Sequence, residues 1–428
     1  MKSGDTLVKV GAKIFVIVSF LLPFGCSHAT SPVDSWLQPQ YEKCQLAVTP
    51  EGAKLPWDFA ATYYKRNLGN TYDLFTSLHA FVAVGQPRKI IDVGALLIDV
   101  PNQIRTNFIL WTHDGRGIYL LKRWEDPNNG MLEERTKNLH IVQGAYLADI
   151  YSYSLETGAF VNLTESPRSS YYNDGVMYWP ANPQKLILST MINMELKPYI
   201  MDLDGKNKEP LTKQPGFSYG FVPSADGTRY AFHANYVLYI GNIENNQETK
   251  VQTNLPFNFS EFWSPDSQKL AFIAGVDTSH SDLYITDRDG GEVKLLARRN
   301  AAIGIPFDES SSFRNGGSDY AVWTPDSRYV IYGAQDPKSD SRELYKIGVA
   351  NGHVVQLTHS SKPGTMNYFP EISPDGQWLA FVSSGNGNRD LLAMSLKYPE
   401  RPAFSVLAMT PGCGILWPHF RPKAPHGS

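Results

Sequence analysis

Cysteine is scarce in this chain of 428 residues: only Cys26, Cys44 and Cys413 are present. No Cys/His cluster has the spacing that zinc requires. The Asp-x-Asp-Gly turns at Asp202–Gly205 and Asp287–Gly290 lack the further carboxylates a hard cation needs. The sequence therefore predicts no metal site and no cofactor. An excess of one charge is also lacking. With 39 basic and 42 acidic side chains the net charge is −3, and no basic block stands out, which argues against a nucleic-acid partner. No P-loop pattern is present, so nucleotide hydrolysis gains no support.

A bilayer-spanning run is missing near the N-terminus as well. Ile14–Phe24 is apolar over 11 residues, too short to cross comfortably. It follows Lys2, Lys9 and Lys13 and precedes the small-x-small triplet Ser27-His28-Ala29. Residues 1–29 read as an export signal, predicting a periplasmic or extracellular protein with no transmembrane anchor. Gly25-Cys26 leaves a lipid anchor at Cys26 as the alternative. Loss of the signal removes three lysines and one aspartate, taking the net charge from −3 to −5. It also leaves Cys44 and Cys413 as an even pair. In an oxidising compartment they are a disulfide candidate, with two separate thiols as the alternative.

What the chain has instead is a repeated hairpin. Asn367–Ser383 reads NYFPEISPDGQWLAFVS, two β-rich runs around the turn Ser373-Pro374-Asp375-Gly376. Pro fixes φ, Asp bonds its own backbone, and Gly accepts a positive φ. Related units occupy Phe221–Ala234, Phe262–Ala274 and Val322–Ala334, with weaker copies at Leu110–Lys122 and Tyr178–Thr190. The turn positions Asp114, Asn182, Asp226, Asp266, Asp326 and Asp375 are 68, 44, 40, 60 and 49 residues apart. About 40 to 45 residues make one four-stranded propeller blade, so the longer gaps carry insertions; Glu125–Lys137 is read as one. A second, outer hairpin recurs in segments ending at Thr164, Thr212, Ala297 and Thr358, each with a Gly-containing turn.

Leu416–Pro422 (LWPHFRP) matches Tyr368–Pro374 (YFPEISP) at both prolines, so the chain starts a further blade and stops. The simplest closure has N-terminal strands completing that blade, which leaves no free sheet edge. The fold class is all-β: a propeller of four-stranded blades, seven by this count and six if the 114-to-182 stretch is misread. Residues 30–70 show no repeat and are read as an N-terminal extension packed on the ring, with the propeller over 71–428. Tyr72–Val84 is open between a short helix and a strand pair, and Lys89–Val100 reads as strand.

The S-P-D-G/S turns with their following L-A-F runs, and the outer hairpin Asp282–Gly291 (DLYITDRDGG), resemble the WD40-like repeats of the periplasmic TolB family over roughly Val176–Phe420. That resemblance implies a β-propeller that binds protein or cell-envelope partners. A second resemblance is to oligogalacturonate lyase-type propellers, which cleave uronic-acid glycans by β-elimination. Arg229–His233 (RYAFH) looks like the strand that carries their catalytic histidine, which maps onto His233. Where that family places a metal-binding His before Glu, this chain has Ser260 before Glu261. Asn367–Pro370, near a second metal segment, has no His. The resemblance thus implies lyase chemistry without the metal.

Propeller ligands bind at the channel mouth, where innermost strands begin, seven or eight residues before each turn. That count selects Asp174, Ser218, Tyr219, Asn258, Phe259, Asp319, Asn367 and Tyr368 as candidate ligand-binding residues. For the lyase alternative, His233 would abstract the C5 proton of a uronate. Arg229 (or Lys208) would neutralise the carboxylate, and Tyr219 would protonate the leaving oxygen. A histidine bonded within the sheet is the competing reading of His233, and His140 is a weaker candidate. The sequence therefore supports an exported propeller binding a cell-envelope protein or oligosaccharide, with a carbohydrate-active lyase as the alternative.

Overall fold

The computed structural model describes residues 46–55, 59–67, 74–84, 86–92, 109–125, 146–164, 173–192, 195–216, 218–245, 247–277, 279–302, 321–385, 389–409 and 413–420. The predicted export signal with Cys26, and Cys44, His140 and Asp319, lie outside these residues, as does the predicted 125–137 insertion apart from Glu125.

The strands assort into antiparallel sheets. Sheet A holds Ile109–Trp111, Gly117–Glu125, Tyr146–Ser154 and Phe160–Asn162. Sheet B holds Asn173–Trp179, Asn182–Ile192, Glu195–Asp202 and Glu209–Pro210; sheet C holds Ser218–Pro223, Arg229–Ala234, Val237–Asn242 and Gln247–Lys250. Sheet D runs from Phe257–Trp263 through Lys269–Gly275 and Ser281–Asp287 to Val293–Ala301. Sheet E comprises Val322–Trp323, Tyr329–Gln335, Arg342–Gly348 and Val354–Gln356. Sheet F comprises Asn367–Ile372, Trp378–Ser383, Asp390–Ser395 and Phe404–Met409, and Leu46–Val48 joins it as a fifth strand. Sheet G is composite: Cys413–Phe420 pairs with Phe59–Asn67, followed by Leu74–Val84 and Gln86–Asp92. Six sheets have consecutive strands as their four-stranded unit, which matches the six-blade alternative rather than the count of seven; sheet G is composite, its strands drawn from both ends of the chain.

Each sheet contacts the next, and the first strand of sheet G touches the first strands of both F and A, so the ring closes. The closure expected from the LWPHFRP segment is what the register shows, with Phe59 opposite Phe420 and Lys65 opposite Cys413. The 30–70 stretch needs correction, because Leu46–Val48 and Phe59–Asn67 are strands of the ring rather than an extension on it. Leu46–Val48 is a fifth strand, and Phe59–Asn67 is a second strand whose first strand comes from the other end of the chain, so neither follows a Ser-Pro-Asp turn and the repeat signature had nothing to mark them. The 72–84 alternatives resolve as one strand, Leu74–Val84. The predicted strand over 89–100 is met by Gln86–Asp92, its remainder lying outside the described residues.

The core lies between sheets. Phe259, Ile273 and Leu283 of sheet D pack with Trp323, Val330 and Tyr332 of sheet E. Equivalent clusters fill the A–B, B–C, C–D and E–F seams. Being covered on both faces, the second strands are apolar almost throughout: in Lys269–Gly275 every residue after Lys269 is buried. Neighbouring sheets are also pinned by polar contacts. Trp263 Nε1 donates to Val222 O at 3.1 Å and Trp323 Nε1 to Phe262 O at 3.0 Å.

The turns that join first and second strands share one network. In five sheets a Ser or Thr hydroxyl (Thr112, Ser224, Ser264, Thr324, Ser373) donates at 2.6 Å to the turn Asp two residues on. That Asp also accepts the backbone N–H two residues further along. The Thr112 hydroxyl is the largest influence on Asp114 and lowers its pKa. At Asp226 partial burial works the other way, but Ser224, Thr228 and the Arg288 guanidinium outweigh it and hold the carboxyl at about 2. Such groups are more acidic folded than unfolded. Their contribution is complete above the unfolded value of about 4 and is lost as pH falls through the folded value. Stability should therefore decline between about pH 4 and pH 2, with half-exposed Asp226 supplying about 1 kcal/mol after solvent screening. Urea midpoints across this range test it: Asp226→Asn should flatten the acid limb, and an unchanged limb would count against the network.

Candidate functional site

First strands of neighbouring sheets meet one another (A with B, C with D, E with F, F with G, G with A), so they line the axis. They share an irregularity. Two residues face one on the second strand at Gly220-Phe221, Ser260-Glu261, Phe369-Pro370 and Trp417-Pro418. The first bulge residue is left-handed in three of them, with φ of 71° at Gly220, 52° at Ser260 and 54° at Phe369.

The second bulge residue is apolar in three copies, Phe221, Pro370 and Pro418; in sheet D it is Glu261. On the second strand, His233 stands where sheets D and F have Ile273 and Val382. The two exceptions meet across the C–D seam: His233 Nδ1 lies 2.7 Å from Glu261 Oε1, with both residues at most 4% exposed. A carboxylate accepts, so Nδ1 is the donor in this bond. Glu261 Oε2 is buried and has no partner among the described residues. Gly220 borders both groups: a Cβ there would sit 2.4 Å from Glu261 Oε2 and 2.8 Å from the His233 ring. Phe259 meets the imidazole edge-on, centroids 5.1 Å apart, and also packs on Tyr236 at 5.2 Å. Tyr236, on the tight turn Asn235-Tyr236, is exposed beside this seam.

The other sequence-selected residues are placed as follows. Tyr219 faces His233 in the backbone register. Arg229 begins the strand that His233 nearly ends, four residues or about 13 Å away, and its guanidinium binds Asp289 at 3.0 Å. The structure therefore does not bring Arg229 to His233. Lys208 lies outside sheet C, where burial, the largest influence on it, lowers its pKa. Ser218, Asn258, Asn367 and Tyr368 do sit at first-strand starts, but each is at most 2% exposed. Asn258 donates to Tyr236 O at 2.7 Å, and Asn367 donates to Glu343 at 2.9 Å and Ser360 at 3.0 Å. Tyr368 lies under the Arg389 guanidinium, 5.3 Å from the ring centroid. Asp174 is the second residue of its strand, opposite Ser189. Ser218, Asn258, Asn367 and Tyr368 are thus buried and do not form an open ring of contacts.

Sequence reasoning missed Glu261 as a partner of His233. It also read no G-x-S-x-G pattern, whereas Gly216–Gly220 (GFSYG) has that spacing of a hydrolase nucleophile elbow. That motif needs a strand-turn-helix, whereas Ser218 starts a strand. It also pairs with Ala234 rather than His233, so alternation aims Ser218 and His233 at opposite faces. A Ser218–His233–Glu261 triad is thereby excluded. Among the described residues no group of three or more His, Cys, Asp and Glu side chains could hold a metal ion. Among the same residues, no helix is long and apolar enough to cross a membrane.

Comparison with known proteins places this architecture. The chain is 27% identical over 201 residues to the uncharacterized peptidase YuxL of Bacillus subtilis, covering 37% of this chain and 28% of that protein. It is 20% identical over 231 residues to the Tol-Pal system protein TolB of Francisella tularensis, covering 46% of this chain and 52% of TolB. The chain thus spans about half or less of the length of the curated relatives it matches. A Mycobacterium tuberculosis puromycin-hydrolyzing peptidase shares the fold with a TM-score of 0.53 at 10% identity, over 81% of this chain and 52% of that one. The model of the TolB beta propeller domain matches residues 170–405, more than half of the sequence, and the chain belongs to that family.

Proposed function

We propose that this is an exported TolB-like propeller, periplasmic or extracellular, whose channel mouth binds a cell-envelope protein or glycan at the C–D seam. The observation that carries the reading is Glu261. A buried carboxylate oxygen without a hydrogen-bond donor is costly, and such an atom beside the axis is kept where a ligand supplies the donor. A hydroxyl or amide N–H entering past Gly220 would do so, with exposed Tyr236 offering a flat surface alongside. Pairing of Leu46 with Met409 supports chain ends that run side by side, and a Cys44–Cys413 disulfide would clasp them. The test is biolayer interferometry against purified Tol-Pal system proteins and envelope oligosaccharides. At least one should bind saturably, and Glu261→Gln should weaken it by about tenfold to a hundredfold, the loss of one charged hydrogen bond. Saturable binding indifferent to Glu261→Gln would move the site elsewhere.

A second reading, β-elimination on uronates, is favoured by one feature: Glu261 orients His233 while the register sets Tyr219 opposite. Nε2 would take the C5 proton, the C4–O bond would break, and the leaving oxygen would gain a proton from Tyr219. Arg229 has no part in it. Ultraviolet detection of unsaturated uronates from a polyuronide panel separates the readings. Product formed by the wild type and abolished in His233→Ala supports the lyase, and no product leaves the binding role.

A further inference from the structure

The face opposite the mouth, where the Ser/Thr-x-Asp turns lie, has a groove rimmed by charged side chains that the reading above does not use. A cavity of about 460 Å³ opens between sheets D and E, and another of about 300 Å³ between E and F; Tyr329 lines both. The acids of the groove are already satisfied. Asp287 accepts backbone N–H groups from Asp289, Gly291 and Glu292 at 2.9 to 3.0 Å. Asp326 accepts from Thr324 and Arg328 N–H, and Glu292 pairs with Lys294 at 2.6 Å. The cations are not matched in this way. Lys269, Arg328 and Lys346 form no ion pair among the described residues, although, against the pull of partial burial, Arg328 is near enough to Asp326 to help lower its pKa; Lys346 and Arg328 stand 5.1 and 5.7 Å from the Tyr329 ring centroid. Thr286, which also lines the larger cavity, is 2% exposed, and its hydroxyl has no partner among the described residues.

We propose that this groove is a second binding site, for an extended acidic peptide segment of a partner protein. Three cations without an ion pair among the described residues, two of them against the Tyr329 ring, select carboxylates, and the Thr286 hydroxyl donates a hydrogen bond to one of them. A peptide fits better than a uronate chain because the Tyr329 ring, the face on which a sugar would stack, is already engaged by two cations.

Fluorescence anisotropy of a fluorescein-labelled decaglutamate peptide with the full chain at low salt tests this. Saturable binding is expected. Lys269→Glu with Arg328→Glu should weaken it at least about tenfold, and Thr286→Val about threefold to tenfold, as expected for one hydrogen bond. Arg116→Glu, an exposed cation on sheet A, should leave it unchanged. Absence of saturable binding, equal loss in Arg116→Glu, indifference to both groove variants, or tighter competition by oligogalacturonate than by unlabelled peptide would each overturn the proposal. None of these outcomes depends on ligand binding at the mouth, so failure here and failure at Glu261 are distinguishable.

Discussion

Ending the chain at Met409 should lower the melting temperature by about 10 °C or more and make the protein aggregate. The truncation removes Cys413–Phe420, the first strand of sheet G, which bonds along Phe59–Asn67 and touches sheets F and A. Phe59 and Phe420 lie with centroids 4.4 Å apart and are 1% and 6% exposed. Exposing two such rings alone costs about 3 to 6 kcal/mol. Stability of a whole domain is of order 5 to 15 kcal/mol, so the ring would lose a large share of it. The consequence is also topological. The Phe59–Asn67 strand would become an open edge, the template on which sheets of different molecules pair. Calorimetry and light scattering measure the two effects, and adding the 410–428 peptide in trans should reverse both. A truncated chain that melts where the intact one does would mean that closure contributes little.

Closure was readable because a strand that begins a repeat and stops leaves its partners to be found elsewhere, and the prolines of LWPHFRP gave the alignment. The turns were readable for a chemical reason: Ser/Thr and Asp two apart each fill a fixed hydrogen-bonding role, so their spacing survives in the sequence. The mouth was not readable in the same way. Counting seven or eight residues back from a turn assumes strict alternation along the strand, and each bulge adds a residue to that count. Ser218, Asn258 and Tyr368 consequently lie under the surface they were expected to form. Nothing local announces the bulge either, since only Gly220 uses glycine for the left-handed residue while Ser260 and Phe369 adopt it without one. A usable signal did exist in the comparison between copies: a carboxylate at the position of Phe221, Pro370 and Pro418, and a histidine at that of Ile273 and Val382. The pair was visible only once the two exceptions were set side by side.

Gly220→Val should destabilise the protein by about 3 kcal/mol or more and abolish the ligand binding proposed for the C–D seam. The backbone there has φ of 71°, which costs a residue with a Cβ about 1 to 2 kcal/mol. A branched Cβ fares worse. The added atom would also stand 2.4 Å from Glu261 Oε2 and 2.8 Å from the His233 ring, and neither side chain has open space to retreat into. Separating the two would leave a buried carboxylate without its donor, a loss of about 3 to 5 kcal/mol for an intact buried pair. Two graded variants separate these causes. Gly220→Ala keeps the conformational cost and the first clash but not the branching, and should fall between wild type and valine. Ser260→Gly, at the same bulge position one sheet on, relieves a left-handed residue while adding chain entropy, so its stability should stay within about 1 kcal/mol of wild type. Urea unfolding of the three, with binding measured in parallel, decides the matter. If valine at 220 is tolerated as well as glycine at 260, the bulge is merely permissive, and Gly220 does not hold the His233–Glu261 pair in place.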